Sequence, residues 1–503
     1  MKKQLRLAMS LMLSMAMCCM AASCSDDDPK PTPEPPVPDT PVTPDPEPAG
    51  QDGDITAYFN SVLEGNDAQL PDLSEMDVDD ADATASHVWD LYAAAVKAKE
   101  TALPTPFDLR GSWNSSISDY NYTYSGTMKL SNGEEMKYAY AYKGSKPSTG
   151  WPMFISLHGS GDDSEYEFQS TFAWDDYYAD EPCVYFIPQS PKGGTGCRWF
   201  QPSRQKAWER LLRAAYVGGS VDPNKIYFMG ISEGAYGSQR LSGYYADYLA
   251  GVGPIAGGEP LYNFAAENSA NIFYCARTGE YDTMYGRYRC TVKAQDLWDK
   301  LEQEHPGYYK HYIDIMPYAG HSLYVEYDDG SAVYGYDGIT AKLKEYSRNP
   351  YPKYVYWQNY PLGNINGESY ECRKAFYNIR PLEAQNGKTD GNVHDAYEMT
   401  IEGNTITLNV YSVTVTPKEE VSEDGWTMNV DCEKTSVPAT SGKIRLYLNK
   451  ELVDLSAPVT VIVNGKTAFT GEVKPSADVM VESAALFFDP ARVFPAAVDV
   501  EVK

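Results

Sequence analysis

The sequence predicts an α/β fold: a mainly parallel sheet, with a helical extension before it and an all-β, sandwich-like unit after it. Three observations carry this. After residue 150 short apolar runs alternate with helical segments, the pattern of strands buried on both faces and joined by crossover helices. The segment before the sheet has apolar residues at helical spacing. Beyond about residue 352 the runs are short and are broken by turn residues, as in a small sandwich.

The chain divides into five stretches: 1–23, 24–52, 53–110, 111–350 and 351–503. Lys2, Lys3 and Arg6 precede an apolar run from Leu7 to Met20, then Ala21-Ala22-Ser23-Cys24. The run is short for a membrane span and has the layout of a cleaved signal. The small residues ending in cysteine resemble a bacterial lipoprotein box, which implies lipidation of Cys24. Ser25-Asp26-Asp27-Asp28 resembles the surface-export signal of Bacteroidetes lipoproteins, which implies an outer-membrane, cell-surface location. An ordinary secretory signal is the alternative. Ten prolines lie within residues 29–48, a semi-rigid spacer without a core.

Helical spacing marks Ile55-Thr56-Ala57-Tyr58-Phe59 and Val88 to Val96. Alternating runs on either side of Asn132-Gly133 predict a hairpin. Strands are then expected at Met153–Leu157, Cys183–Ile187, Lys225–Met229, Ala250–Ile255, Asn271–Cys275 and Tyr312–Ile315. Helices are expected over Ser203–Ala215, directly after Met229, and around Val292, Leu297 and Leu301. In the tail Ile406–Tyr411, Lys443–Leu448 and Val459–Val463 read as strands, the last running into Asn464-Gly465.

The 503 residues carry 42 Lys+Arg against 70 Asp+Glu, a formal net charge of −28, which excludes a polyphosphate partner such as nucleic acid. An aromatic content of 13% excludes disorder for most of the chain. Once Cys18, Cys19 and Cys24 are set aside, Cys183, Cys197, Cys275, Cys290, Cys372 and Cys432 remain, enough for up to three disulfides in an oxidising compartment. No CxxC pair or His cluster offers a metal site, and no cofactor is expected.

Chemistry concentrates at Gly230-Ile231-Ser232-Glu233-Gly234, which closes an apolar strand and opens a helix. A bare GxSxG is a weak signal; this context is where a nucleophilic serine sits on a strained turn. A serine needs a base. Of the six histidines, His87, His158, His305, His311 and His394 fall on a helix, in another motif, at a helix end, at a strand start and in the tail. His321, in the loop after the last apolar strand, remains. Asp282 is the orienting carboxylate, with Glu280 the alternative. Leu157-His158-Gly159-Ser160-Gly161 ends the first buried strand. An N–H from Gly159 or Ser160, together with that of Glu233, would bind an oxyanion. His158 is expected to be a structural turn residue.

In chain order, His158-Gly159-Ser160-Gly161, Gly230-Ile231-Ser232-Glu233-Gly234, Gly279-Glu280-Tyr281-Asp282 and Gly320-His321-Ser322 resemble the α/β-hydrolase superfamily over about residues 125–350. Together with the leader and the β-rich tail, the chain is similar to Bacteroidetes carbohydrate esterases, pectin methylesterase-like or acetylesterase-like. The resemblance implies a surface-anchored serine ester hydrolase acting on an esterified polysaccharide or oligosaccharide such as pectin. A serine peptidase of the same fold and a non-catalytic glycan-binding lipoprotein are the alternatives. For substrate contact the candidates are Arg198, Trp199 and Arg277, beside Phe200, Arg287 and Arg289. Trp199 or Phe200 would stack on a sugar ring or else cap the core. Converging arginines would suit a uronate polymer; the alternative is that they pair with the abundant carboxylates. The sequence carries no signal for oligomeric state.

Overall fold

The expected strands carry almost no charge, and those at the middle of the sheet are covered on both faces, whereas Tyr312–Ile315 at its edge is only partly buried. The computed structural model describes residues 50–74, 76–99, 124–194, 198–336, 338–362, 372–383 and 392–503. The leader, Cys24, the Pro-rich spacer and Cys197 lie outside them.

Helices α1 (Gln51–Leu63) and α2 (Ala81–Lys99) precede the hairpin β1 (Tyr124–Lys129) and β2 (Glu135–Lys143). Then follow β3 (Trp151–Leu157), α3 (Ser164–Tyr177), β4 (Cys183–Pro188), α4 (Pro202–Gly218), β5 (Val221–Ile231), α5 (Glu233–Tyr244), β6 (Gly251–Ile255), β7 (Phe273–Gly279), α6 (Arg287–Glu304) and β8 (His311–Met316). They form an eight-stranded mixed sheet in the order β1-β2-β4-β3-β5-β6-β7-β8. The strands from β4 to β8 run parallel, and β2 is antiparallel to β4. Parallel strands bring their carboxyl ends to one edge, where the loops after β3, β5, β7 and β8 meet.

Three helices escape the sequence reading, one of them the short α7 (Ile339–Lys344). α3 has no clear apolar stripe, and starts where Asp163 accepts hydrogen bonds from the N–H groups of Glu165 and Tyr166. α8 (Ala477–Phe487) lies in the tail expected to be all β, where a run rich in Ala, Met, Glu and Leu favours helix.

A short hairpin, β9 (Tyr324–Glu326) with β10 (Ala332–Tyr334), and α7 (Ile339–Lys344) follow the main sheet. The C-terminal strands are β11 (Tyr354–Asn359), β12 (Ile379–Glu383), β13 (Val393–Glu402), β14 (Thr405–Glu423), β15 (Trp426–Pro438), β16 (Lys443–Leu448), β17 (Val459–Val463), β18 (Lys466–Gly471) and β19 (Ala496–Glu501). One sheet is ordered β11-β13-β14-β17-β18, with β15 on β14; another is β12-β16-β19. β13 pairs with β14 only as far as Thr414, and β17 only to Leu408, whereas β15 pairs with it to Glu423. Beyond Thr414, β14 and β15 are a two-stranded ribbon. Such a ribbon is marginal alone and needs support from outside.

One continuous apolar core joins α1 and α2, one face of the main sheet and the C-terminal strands, through residues such as Phe59, Trp208, Trp357 and Phe494. Beside it lies a buried ion network. Asp247 meets Arg373 at 2.9 Å and Arg492 at 2.6 Å. Asp489 meets Arg348 at 2.6 Å and Arg492 at 2.7 Å.

The expectation of up to three disulfides is corrected for the cysteines inside the sheet and beside it. Cys183, Cys275 and Cys290 are buried free thiols, Cys183 donating to Asp180, and burial pushes the Cys275 thiol up to about 12.

Candidate active site

β5 runs into α5 through a turn that only this sequence pattern permits. Ser232 has φ 54° and ψ −112°, a strained conformation that lifts its side chain out at the sheet edge. The flanking glycines are required by the end of β3. A Cβ at Gly230 would lie 2.5 Å from the Leu157 carbonyl oxygen, and one at Gly234 would overlap that oxygen outright. The N–H of Glu233, first residue of α5, is among the donors that a helix N-terminus leaves without an intrahelical partner.

The turn after β3 lies against this elbow: a Cβ at Gly159 would be 3.6 Å from that of Ser232. His158 holds it there. Its Nε2 accepts the Ser190 N–H at 2.9 Å, so Nδ1 carries the proton and donates to the Gly159 carbonyl at 2.6 Å. Burial pushes this imidazole down to about 4, so it stays neutral at physiological pH.

The loops after β7 and β8 are laced together. Glu280 N–H donates to the Met316 carbonyl and Tyr281 N–H to that of Ala319. Gly279 allows the approach, since a Cβ there would lie 2.5 Å from the Gly320 carbonyl oxygen. The result brings three sequence-predicted residues into line. His321 Nε2 lies 3.0 Å from Ser232 Oγ, and His321 Nδ1 lies 2.8 Å from Asp282 Oδ2. Glu280 is turned away and accepts the Tyr318 N–H at 2.9 Å. His321 is 43% exposed and Asp282 is buried, so the base can reach substrate while the carboxylate stays dry.

Sequence reasoning placed Arg287 among the substrate candidates and missed its position. It donates from Nη1 to Asp282 Oδ1 at 2.8 Å and from Nε to Tyr236 Oη at 2.9 Å. Both Asp282 oxygens are thereby held. Nothing local marks this, because Arg287 opens α6 and Tyr236 belongs to α5.

The other substrate candidates fall elsewhere. Trp199 is fully buried, which corrects its assignment to a sugar ring: it stacks edge-on against His158, donates Nε1–H to the His158 carbonyl at 2.9 Å, and packs where Gly237 leaves room. Phe200 is buried beneath the Arg240 guanidinium. Arg198 pairs with the Glu233 carboxylate at the rim of the elbow. Burial pushes that carboxyl up to about 7, although Arg198 pulls it down. Arg277 pairs with Asp314 at 2.7 Å, and Arg289 with Glu423 at 3.0 Å. All four arginines offered as a uronate-binding group therefore face carboxylates of the protein. No group of His, Cys, Asp and Glu that could hold a metal occurs among the described residues.

Chemically, the arrangement can deprotonate a serine with an imidazole whose tautomer is fixed by a buried carboxylate. It also presents a helix N-terminus beside the attacked carbonyl.

No family model matches the sequence, and no curated protein matches it. Among solved structures, a thermostable esterase is 21% identical over 45% of this chain and 63% of its own, with a TM-score of 0.34. A feruloyl esterase module from Clostridium thermocellum is 16% identical over 39% of this chain and 81% of its own, with a TM-score of 0.29. Porphyromonas gingivalis dipeptidyl peptidase 4 is 12% identical over 40% of this chain and 32% of its own, also with a TM-score of 0.29. At scores this low they bear on neither activity nor substrate.

Proposed function

We propose that this chain is a serine carboxylic-ester hydrolase of the α/β-hydrolase fold, removing acetyl or methyl groups from a plant polysaccharide. The observation that carries it is the unbroken line from Ser232 Oγ to His321 at 3.0 Å and on to Asp282 at 2.8 Å, with the serine at φ 54°. The strand order and the position of each group at the carboxyl edge support the same reading.

In the proposed reaction Ser232 Oγ attacks the ester carbonyl as His321 Nε2 takes its proton. Asp282, held by Arg287, keeps Nδ1–H directed and stabilises the imidazolium. The N–H of Glu233 and one from Gly159 or Ser160 receive the developing oxyanion. His321 then protonates the departing alcohol. Water, activated by the same imidazole, releases the acid from Ser232.

The pairing of Arg198, Arg277, Arg287 and Arg289 with carboxylates weighs against an acidic polymer and favours acetyl esters on a neutral glycan over methyl esters of pectin. We further propose, on the leader sequence, that Cys24 is lipidated and that the Pro-rich spacer holds the enzyme away from the outer membrane.

The test follows acetate from acetylated xylan, methanol from methylated pectin and amines from peptides, with wild type and Ser232→Ala. Acetate release that disappears with Ser232 is the expected result. Full activity in Ser232→Ala overturns the mechanism, and amine release alone makes the protein a peptidase.

A further inference from the structure

A soluble surface normally scatters its large apolar side chains singly. Here they are gathered. Of the eight large hydrophobic residues most exposed among those described, six lie on three neighbouring segments: Tyr281 and Met284 beside Asp282, Tyr318 just before His321 with Val333 and Tyr334 in the hairpin after it, and Trp426 at the tip of the β14–β15 ribbon. Trp426 is 49% exposed, Tyr281 47% and Tyr318 45%. Tyr281 and Tyr318 stand edge to face, with ring centroids 6.3 Å apart.

The ribbon is held in place for this. Past Thr414 it has no third strand, and it rests on α6 and the loop after β7 instead. Thr283 Oγ1 donates to Asp424, Arg289 pairs with Glu423, and Lys293 pairs with Glu419 at 2.6 Å and Asp431 at 3.3 Å. Gly286 leaves the space into which Met428 packs. The tip then connects to the catalytic line through Tyr285 and Arg287. Trp426 packs on Tyr285 at 4.6 Å between centroids, the Arg287 guanidinium lies 5.0 Å from the Tyr285 ring, and Arg287 grips Asp282.

We propose that this aromatic rim is a subsite for the pyranose rings of a neutral polysaccharide, the ribbon extending the site beyond Ser232. The proposal rests on the esterase reading for its substrate but makes its own claim about binding. A pyranose ring has an apolar C–H face that lies flat on an aromatic side chain, and edge hydroxyls that donate to carboxylates. The rim supplies both: exposed rings, with Glu280 and Asp424 among them. Those carboxylates repel a polyuronate, and no arginine in the rim lacks a carboxylate partner to offset them.

Two measurements separate the claims. In the first, Ser232→Ala protein is titrated with ester-free xylan, glucomannan, galactan and polygalacturonate by affinity electrophoresis. At least one neutral glycan should bind. Adding Trp426→Ala should weaken it about tenfold, Trp426→Tyr should restore part of the loss, and Val437→Ser, an exposed position at the far end of β15, should leave it unaltered. In the second, the ratio of kcat/KM on acetylated xylan to kcat/KM on p-nitrophenyl acetate should fall about tenfold in Trp426→Ala. Binding that does not depend on Trp426, tighter binding of polygalacturonate, or an unchanged ratio overturns the subsite while leaving Ser232 chemistry intact. Trp426-dependent glycan binding by a wild type that cleaves no ester upholds the subsite and overturns the esterase reading.

Discussion

Replacing Arg287 with methionine isolates the charge on the Asp282 clamp, because methionine fills much of the same space and offers no donor. In the native protein Asp282 is 2% exposed, with Oδ1 on Arg287 and Oδ2 on His321. The substitution leaves a buried carboxylate facing one imidazole N–H. Breaking a buried ion pair on one side costs about 3–5 kcal/mol of stability. The released oxygen also frees the carboxylate to turn, so the imidazole loses its fixed orientation. If the lost charge-assisted hydrogen bond, about 1.5–3 kcal/mol, is felt fully in the transition state, kcat falls roughly 10- to 150-fold. Arg289→Met provides the contrast. That pair, with Glu423 at 3.0 Å, has its arginine half exposed, and exposed pairs contribute only about 0.2–1 kcal/mol. The assay is the urea midpoint by tryptophan fluorescence together with initial rates on p-nitrophenyl acetate. An Arg287→Met protein as stable and as fast as wild type, or one indistinguishable from Arg289→Met, would refute the clamp.

Three further outcomes are expected. Gly234→Ala places a methyl group on the Leu157 carbonyl oxygen and must displace the elbow, so kcat should fall by about 100-fold or more with little change in far-ultraviolet circular dichroism; an alanine variant with native rates contradicts the packing. Glu233 has a folded-state carboxyl pushed up to about 7 by burial from an ordinary 4.5, so the folded protein keeps a proton that the unfolded chain has lost. Wild type should therefore lose up to about 3 kcal/mol of stability as pH rises from about 4.5 to about 7, and Glu233→Gln should lack that slope in urea midpoints. For Asp489, burial pushes the carboxyl up but Arg348 and Arg492 hold it below its ordinary value, so its contribution is present at neutral pH and is lost only as pH falls below about 3.8. Asp489→Asn removes the carboxylate that Arg348 pairs with and leaves Arg373 and Arg492 to Asp247, and should cost about 3–5 kcal/mol at pH 7, read as an earlier urea midpoint; a neutral effect there would mean that the network carries no stability.

What the sequence determined by itself is what short stretches of chain enforce. Continuous apolar runs such as Cys183–Ile187 can only be strands covered on both faces. An apolar strand closing on Gly-x-Ser-x-Gly and opening a helix marks a sharp turn that presents the serine. The loops after such strands must meet at one edge, which is why His321 was legible by elimination. Helices α3, α7 and α8 were not legible, since the first lacks an apolar stripe, the second is only six residues long and the third lies in a tail dominated by strands. Tertiary structure alone decided matters that depend on direction. Asp282 and Glu280 are two residues apart on one loop, and only the course of that loop after β7 turns one toward His321 Nδ1 and the other toward the Tyr318 N–H. Trp199 could have faced solvent, but Gly237 opens a space on α5 that buries it. The arginines could have converged on substrate, but each pairs with a carboxylate, and for Arg198, Arg277 and Arg289 that carboxylate comes from a distant segment. Trp426 lies nearly 150 residues beyond Asp282 in the chain and packs on neighbouring Tyr285 only because the β14–β15 ribbon outruns its own sheet. Contacts of this kind arise from the packing of elements far apart in sequence, and no local pattern encodes them.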